Sequence, residues 1–402
     1  MRLSQRIQKV KPSPTLALTA LAASLQSQGI DIIGFGSGEP DFDTPEAIKE
    51  AAKRALDQGR TKYTPAGGIK ELKAAVAEKF RRDNALAYEQ NQVTINCGGK
   101  HSFYNLIQVL LDDGDEVIIP SPYWVSYPPM TALAGGVPVM VECSEHNGFR
   151  LKPEDLARAL TERTRVVVLN SPSNPTGAAY SRDDLEKLAA VLSGRDIAIV
   201  SDDIYESMMY DGRAFVNMAN ISEEMKLKTF VLNGVSKAYA MTGWRIGYMA
   251  GDANVIRNVE TLQSQSTSNP TSIAQYGALE ALSGDQGAIS QMMAAFSRRR
   301  KLIVDGLNSV PGISCMLPDG AFYAFPRVSD VYRRGGWEKI SGRYEGSGNS
   351  SKLCSYLIDE ARVAVVPGIE FGNDDYIRLS FATSDENIAR GVERIGESLA
   401  KI

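Results

Sequence analysis

The chain of 402 residues is predicted to be an α/β protein, with a mainly parallel sheet in a large domain and a small α+β domain beside it. Two observations carry this. Between about residues 92 and 250, short β-branched apolar runs alternate with segments of helical period, the pattern of successive βαβ units. From about residue 284 the texture changes to one long helical segment followed by short strands and further helices.

Taken in order, the first 40 residues or so hold an amphipathic stretch, Leu16–Leu25, expected to pack on the small domain. Thr44-Pro45 reads as a cap residue with proline at the first helical position. Strands are expected at Val93–Asn96, Glu116–Ile119, Val137–Val141, Arg165–Leu169, Ile197–Val200 and Thr229–Leu232. Each is short and β-branched, as strands buried on both sheet faces are. Ser181-Arg-Asp-Asp184 is a capping-box-like start for Leu185–Leu192. A long helix over Asp285–Leu307 leads to Ile313–Leu317 and Ala321–Phe325. A helix, strands at Val363–Val366 and Ile377–Phe381, and a last helix from Thr383 follow. Arg333 to Ser351 is polar and rich in Gly and Ser, and reads as a mobile surface loop. The expected division is an N-terminal segment 1–45 packing with the small domain, a large domain 46–283 and a small domain 284–402.

Composition narrows the chemistry. Apolar content of 43% and charged content of 23% allow a large core in an ordinary globular protein. A net charge of −4 gives no footprint for nucleic acid, and Arg298-Arg-Arg-Lys301 is expected to be a solvated helix face. The N-terminus lacks the apolar core of a signal peptide and no run of 18 apolar residues occurs, so a cytosolic protein with no membrane partner is expected. Cys97, Cys143, Cys315 and Cys354 lie far apart without a C-x-x-C pair, which suggests neither zinc nor disulfides. His101 and His146 alone make a histidine metal centre or a Ser-His-Asp hydrolase a poor fit. No metal is expected, and the chemistry needs other side chains or a cofactor.

The run Asn233 to Gly247 places Lys237 after a strand and a turn, with Ser236 before it and Arg245 eight residues on. An amine held there can form a Schiff base with an aldehyde, and Ser236 and Arg245 suit a phosphate. Pyridoxal phosphate carries both groups. Gly98-Gly99 sits between a strand and a helix, where backbone N–H groups and the helix N-terminus favour an anion. Alone, it also reads as a plain tight turn. Neither it nor Gly34-Phe-Gly-Ser-Gly38 meets the P-loop or dinucleotide fingerprint. Asn170-Ser-Pro-Ser-Asn-Pro-Thr-Gly177 is a rigid loop at a strand's carboxyl end, where α/β folds bind ligands. Its Asn174 can offer an amide to a phenolate-like oxygen. Asp202, Asp203 and Tyr205 close the next strand. A carboxylate there can keep a pyridine nitrogen protonated, and a phenol three residues on can reach the ring oxygen. A helix-capping aspartate is the competing explanation. Arg378 lies in an apolar strand and needs a partner, either a substrate carboxylate held by its planar fork or a structural ion pair.

In sequence order, the set is Gly38-Glu-Pro-Asp-Phe42, Lys62-Tyr-Thr-Pro65, Gly98-Gly-Lys100, Ser121-Pro-Tyr-Trp-Val-Ser-Tyr127, Asn170–Gly177, Asp202-Asp-Ile-Tyr205, Ser236-Lys237, Gly243-Trp-Arg-Ile-Gly247 and Arg378. Along almost its full length this resembles the fold-type I, class I pyridoxal-phosphate aminotransferases. It is most similar to the bacterial-type aspartate aminotransferase subgroup, which includes aspartate/prephenate aminotransferases. The resemblance implies a seven-stranded sheet flanked by helices, a small domain built from both termini, and a homodimer with active sites at its interface. It implies that Lys237 holds pyridoxal 5'-phosphate as a Schiff base and shuttles the proton. Asp202 would pair with the ring nitrogen, Asn174 and Tyr205 with the ring oxygen, and Trp124 would stack on the ring. Gly99, Lys100, Ser236 and Arg245 would surround the phosphate, joined by Tyr63 of a second subunit. Arg378 would clamp the substrate α-carboxylate, with Gly38, Trp124 and Asn174 lining the substrate site.

The implied substrates are amino acids and 2-oxo acids, with L-aspartate donating to 2-oxoglutarate by a ping-pong mechanism. Lys100 is the candidate for the distal carboxylate, and Lys11 matches a position associated with prephenate use. His101 stands where the resemblance leads to glutamine, and Pro14 where it leads to alanine. Competing readings are an aminotransferase for aromatic or other amino acids and a lyase on the same fold. A cofactor-binding regulator would need a DNA-binding domain ahead of residue 38, where no room is expected. A nicotinamide-dependent dehydrogenase fails for want of its glycine fingerprint.

Overall fold

The computed structural model describes every residue except Ser13, with the side chains of residues 14–19 and 23 also outside the description. The expectations resting on the Pro14 and Leu16 side chains therefore lie outside the described set. Twelve strands run along the described chain: β1 (Ile33–Gly34), β2 (Val93–Asn96), β3 (Glu116–Ser121), β4 (Val137–Glu142), β5 (Thr164–Asn170), β6 (Ala198–Asp202), β7 (Thr229–Gly234), β8 (Gly247–Ala250), β9 (Tyr323–Ala324), β10 (Val363–Ala364), β11 (Val366–Pro367) and β12 (Ile377–Ser380). Seven of them form one sheet in the order β2-β8-β7-β6-β5-β3-β4. The other six run one way and β8 runs against them.

The six expected sheet strands are all present. β8 is the addition, because Gly247-Tyr-Met-Ala250 contains no β-branched residue and pairing on both sides makes it a strand. Its first residue has a job: a Cβ on Gly247 would stand 2.4 Å from the Gly99 nitrogen, so glycine lets the Gly98-Gly99 turn lie against the sheet. One expectation fails in detail. β4 is an edge strand with Val137 and Met140 exposed, so it is not buried on both faces.

Local start signals divide. Ser181 and Asp184 form the expected capping box at the helix Arg182–Leu192. At Thr44-Pro45 the proline itself is the cap of the helix Glu46–Asp57. The Thr44 hydroxyl instead donates to the Ala240 carbonyl and accepts from the Trp244 indole, tying the helix start to the Lys237 turn.

In the C-terminal part, the long helix spans Gly287–Asn308 and the last one Asp385–Leu399. Ile313–Leu317 forms no strand beyond a single bridge from Ser314 to Arg327. The order β11-β12-β9 makes a small antiparallel sheet, and β1 pairs parallel to β10. Ile33 and Phe35 share an apolar core with Phe296, Phe322 and Phe381, so both ends of the chain meet there. In the helix Pro14–Ser27, Ala22 and Leu25 pack with Ile32, Ile358 and Ala364.

Two surface expectations are corrected. Arg333–Ser351 is not a bare loop: it holds the helix Trp337–Ser341 and the start of Asn349–Tyr356. Trp337 is buried, and Asp374 accepts from the Asn349 and Ser350 N–H groups and the Ser350 hydroxyl. A capping carboxylate so distant in sequence leaves no local signal. The Arg298–Lys301 cluster is only half solvated, since Arg299 and Arg300 are 8% and 2% exposed. Arg299 bonds Asp41 and Asp385, and Arg300 bonds Asp211, which is how a buried guanidinium is tolerated. Among the described residues all four cysteines are free, no acidic, cysteine or histidine cluster could hold a metal, and no helix is long and apolar enough to cross a membrane.

Candidate active site

The sheet's connectivity brings the chemistry together. β2, β3, β5, β6 and β7 all run one way, so the segments that follow them emerge at one edge, and antiparallel β8 begins there. That edge is where open α/β sheets bind ligands. The Gly98-Gly99 turn follows β2, Trp124 follows β3, and Asn174 follows β5. Asp202 ends β6, Ser236 and Lys237 follow β7, and Arg245 precedes β8. From the other part of the chain come Gly38 and, on β12, Arg378. All of these except Gly98 line one cavity of about 370 Å³.

Lys237 points into this cavity and its ammonium donates to the Gly38 carbonyl. Burial pushes the amine down to about 8; Glu39 opposes the shift, Arg245 and Arg378 add to it, and Asp202 opposes it. Asp202 accepts a hydrogen bond of 2.5 Å from the Tyr127 hydroxyl. Burial raises its carboxyl to about 6, against the Tyr127 and Ile204 hydrogen bonds and the charge of Lys237. Asp203, by contrast, is wholly buried away from the cavity, where Ser201 and Asn217 donate to it.

Arg378 is 2% exposed. Its Nη1 donates to Asn174 Oδ1 at 3.0 Å and its Nη2 to the Gly36 carbonyl at 2.8 Å, while Nε has no partner. Its guanidinium lies 4.6 Å from the Tyr323 ring centre and 5.0 Å from that of Phe371. No carboxylate among the described residues pairs with it. The structural ion pair that competed as an explanation is therefore absent from this set.

The corner between Gly98 and Arg245 is equally specific, and it could cradle an anion. Gly98 has φ +92°, and a Cβ there would meet Arg245 Nη2 at 2.2 Å. The helix Gly99–Leu110 starts next, with its first N–H groups directed out of the helix end. Arg245 is exposed, and its guanidinium is held by the Thr242 and Cys97 carbonyls. His101 Nδ1 accepts the Cys97 N–H at 3.2 Å, and burial together with Arg245 lowers its pKa, which favours the neutral imidazole. Lys100 Nζ lies 5.2 Å from the Trp124 ring centre.

Two candidate residues stand apart from this set. Tyr63 is 89% exposed and does not line its own chain's cavity. Lys11 lines a separate groove with Tyr123 and Glu370, which shares Val125 and Ser126 with the main cavity. Reading the sequence also missed Tyr127, Tyr323 and Glu39. Tyr323 lies in an apolar run that reads as ordinary core, and Tyr127 and Glu39 lie in quoted motifs without a role of their own. The polar partners of the tyrosines are remote in sequence.

Residues 30–395 match the family model described as aminotransferase class I and II. The chain belongs to that family. The aminotransferase is 50% identical over 403 residues to the aspartate/prephenate aminotransferase of Nitrosomonas europaea, covering 100% of both chains. It is 46% identical over 401 residues to the aspartate aminotransferase of Bacillus subtilis, again covering 100% of each. Among solved structures, the aspartate aminotransferase of Rhizobium meliloti superposes with a TM-score of 0.93 at 43% identity, over 100% of this chain and 99% of that one. The Thermus thermophilus aspartate aminotransferase with maleate gives a TM-score of 0.91 at 44% identity, over 99% and 100%. Class I aminotransferase membership implies pyridoxal phosphate. The lining fits that group: an amine, a carboxylate, an anion cradle that a Cβ at Gly98 would fill, and an indole beside them.

Proposed function

We propose that this aminotransferase moves the amino group of L-aspartate to 2-oxoglutarate, with pyridoxal 5'-phosphate as cofactor and active sites at a homodimer interface. One observation carries the reading: the buried guanidinium of Arg378 has no carboxylate partner among the described residues, yet lines the cavity of Lys237 and Asp202. An uncompensated buried charge is costly, so the site is built to receive an anion. A substrate α-carboxylate supplies it, with Asn174 and the Gly36 carbonyl fixing the plane of the fork.

When bound, pyridoxal phosphate supplies an aldehyde for the amino group and a protonated ring that draws electron density from the substrate Cα. The chain's own residues do the rest. With a pKa of about 8, Lys237 has an appreciable neutral fraction near pH 7 and can take and return the proton at Cα. Asp202, braced by Tyr127, holds the proton on the ring nitrogen. Tyr205 and Asn174 would serve the ring oxygen, and Trp124, which also lines the cavity, would stack on the ring. The Gly99 N–H, Lys100, Ser236 and Arg245 hold the phosphate, and exposed Tyr63 completes it on the partner subunit. Arg378 and Gly38 orient the substrate, which converts binding into rate.

Lys100 is assigned to the distal carboxylate; the Thermus relative was solved with maleate, a four-carbon dicarboxylate. Prephenate is a second amino acceptor in this reading, through Lys11 swinging in from its neighbouring groove. The boundaries near residues 45 and 283 mark the parts that would close on substrate. The reading has a direct test in rates with aspartate, prephenate and an aromatic amino acid or its oxo acid, each with the glutamate/2-oxoglutarate pair. Aspartate should be the best amino donor. Faster turnover of the aromatic donor, or release of pyruvate or ammonia, would overturn it.

A further inference from the structure

The Tyr205 and Tyr323 hydroxyls are 2.7 Å apart, both residues are buried, and both line the cavity. Among the described residues each hydroxyl has only the other as a partner. Two phenols carry two protons, and one proton makes the bond between them. The second has no protein acceptor, although buried donors in native structures are almost always satisfied. It therefore faces whatever fills the cavity. It can leave from the Tyr205 end or from the Tyr323 end, but donation from both would leave two bare oxygens in contact.

The two ends look at different things. The Tyr323 hydroxyl lies 3.4 Å from where a Cβ on Gly38 would stand, and its ring lies 4.6 Å from the Arg378 guanidinium. Tyr205 lies just beyond Asp202, where the cofactor ring is assigned. We propose that Tyr323 is a positioning residue linking the Arg378 carboxylate clamp to the hydrogen bond that Tyr205 offers the cofactor, through a hydroxyl pair whose direction the bound carboxylate sets. The proposal rests on the reading of the cavity given above. With the clamp empty, Tyr323 donates to Tyr205 and Tyr205 donates to the ring oxygen. A carboxylate on Arg378 is a charged acceptor and draws the Tyr323 proton. The pair then reverses, Tyr205 donates to Tyr323, and the ring oxygen loses a donor. The proton beside Lys237 is held more tightly as a result. Asp202, Glu39, Arg245 and Arg378 also face that proton, and Tyr323→Phe leaves all four in place.

The test is a pH titration of the visible band of the holoenzyme, with and without maleate as a non-reacting dicarboxylate. In the parent protein maleate should raise the midpoint. In Tyr323→Phe that rise should fall by at least roughly half, the remainder coming from neutralisation of Arg378 and from Asn174, which joins the same guanidinium to the ring oxygen, with the ligand-free midpoint no higher than the parent's. Tyr205→Phe should start with a raised midpoint, and maleate should move it by no more than that same remainder. An unchanged maleate shift in Tyr323→Phe, or no shift in the parent, would overturn the link. Should Tyr323→Phe fail to fold, a full maleate shift in Tyr205→Phe overturns it equally. A parent holoenzyme without any visible band would instead defeat the assignment of the cavity itself.

Discussion

Lys237 and Arg378 are cations placed where water is scarce, and each can be tested for what that placement does. In the cofactor-free protein, burial holds Lys237 near 8 against an ordinary 10.5. Below pH 8 the amine is protonated in both native and unfolded chains, and the native one bears the desolvation penalty. Between about 8 and 10.5 the unfolded chain binds more protons, so stability at this position rises with pH. Lys237→Met should therefore be more stable than the parent at pH 7, by up to about 3 kcal/mol. The gap should close as pH approaches 10, as read from paired thermal melts; a gap that widens would contradict the buried ammonium. For Arg378, replacement by lysine keeps a charge but removes the fork. Loss of the paired hydrogen bonds, about 2 kcal/mol, should lower kcat/KM for aspartate roughly thirtyfold with cofactor affinity little changed. Equal damage to cofactor retention would show Arg378 to be part of the scaffold instead. The sequence made both residues visible, Arg378 as a charge in an apolar run and Lys237 as an amine on a turn at a strand end with Ser236 before it and Arg245 after it. Tyr323 was hidden by the same logic, since a tyrosine in an apolar run reads as core, and the role of Tyr127 because its partner Asp202 is 75 residues away in sequence.

Among the elements, what was legible follows from burial. β3, β5, β6 and β7 are apolar and β-branched because helices cover both sheet faces, and their runs stood out. β8 lacked that composition, yet it carries Gly247 against the Gly98-Gly99 turn. The capping box at Ser181 was readable because both partners are three residues apart. Asp374 capping the helix Asn349–Tyr356 was not, since tertiary structure alone joins them. Asp374→Ala should therefore destabilise the protein by about 1–2 kcal/mol, the range for a lost cap, with kcat unaffected. A lowered kcat at unchanged melting temperature would mean that this segment acts on the site. At the cradle, Gly98→Ala adds a Cβ 2.2 Å from Arg245 Nη2 at φ +92°. Displacement of Arg245 should weaken cofactor phosphate binding at least about tenfold in an equilibrium titration of the cofactor-free protein. Unaltered affinity would place the phosphate elsewhere.

For the whole molecule, the site draws on both ends of the chain and, in the proposed dimer, on a second copy. Tyr63 is exposed on its own chain, as a residue destined for a neighbour's site would be. Mixing Lys237→Ala with Tyr63→Ala protomers tests this sharing. Each mixed dimer regains one site with Lys237 and an intact partner Tyr63, so activity should exceed that of either parent variant. No gain after verified subunit exchange would confine the site to one chain. The central claim is that Lys237 and its cavity carry an amino group from donor to acceptor in two separate halves. The most direct measurement follows the visible band of the purified holoenzyme on adding aspartate alone and then 2-oxoglutarate. The band should fade within a single turnover with one equivalent of oxaloacetate formed, and return when 2-oxoglutarate is added. A band that aspartate leaves untouched, or one that fades with release of ammonia and does not return, would contradict the account.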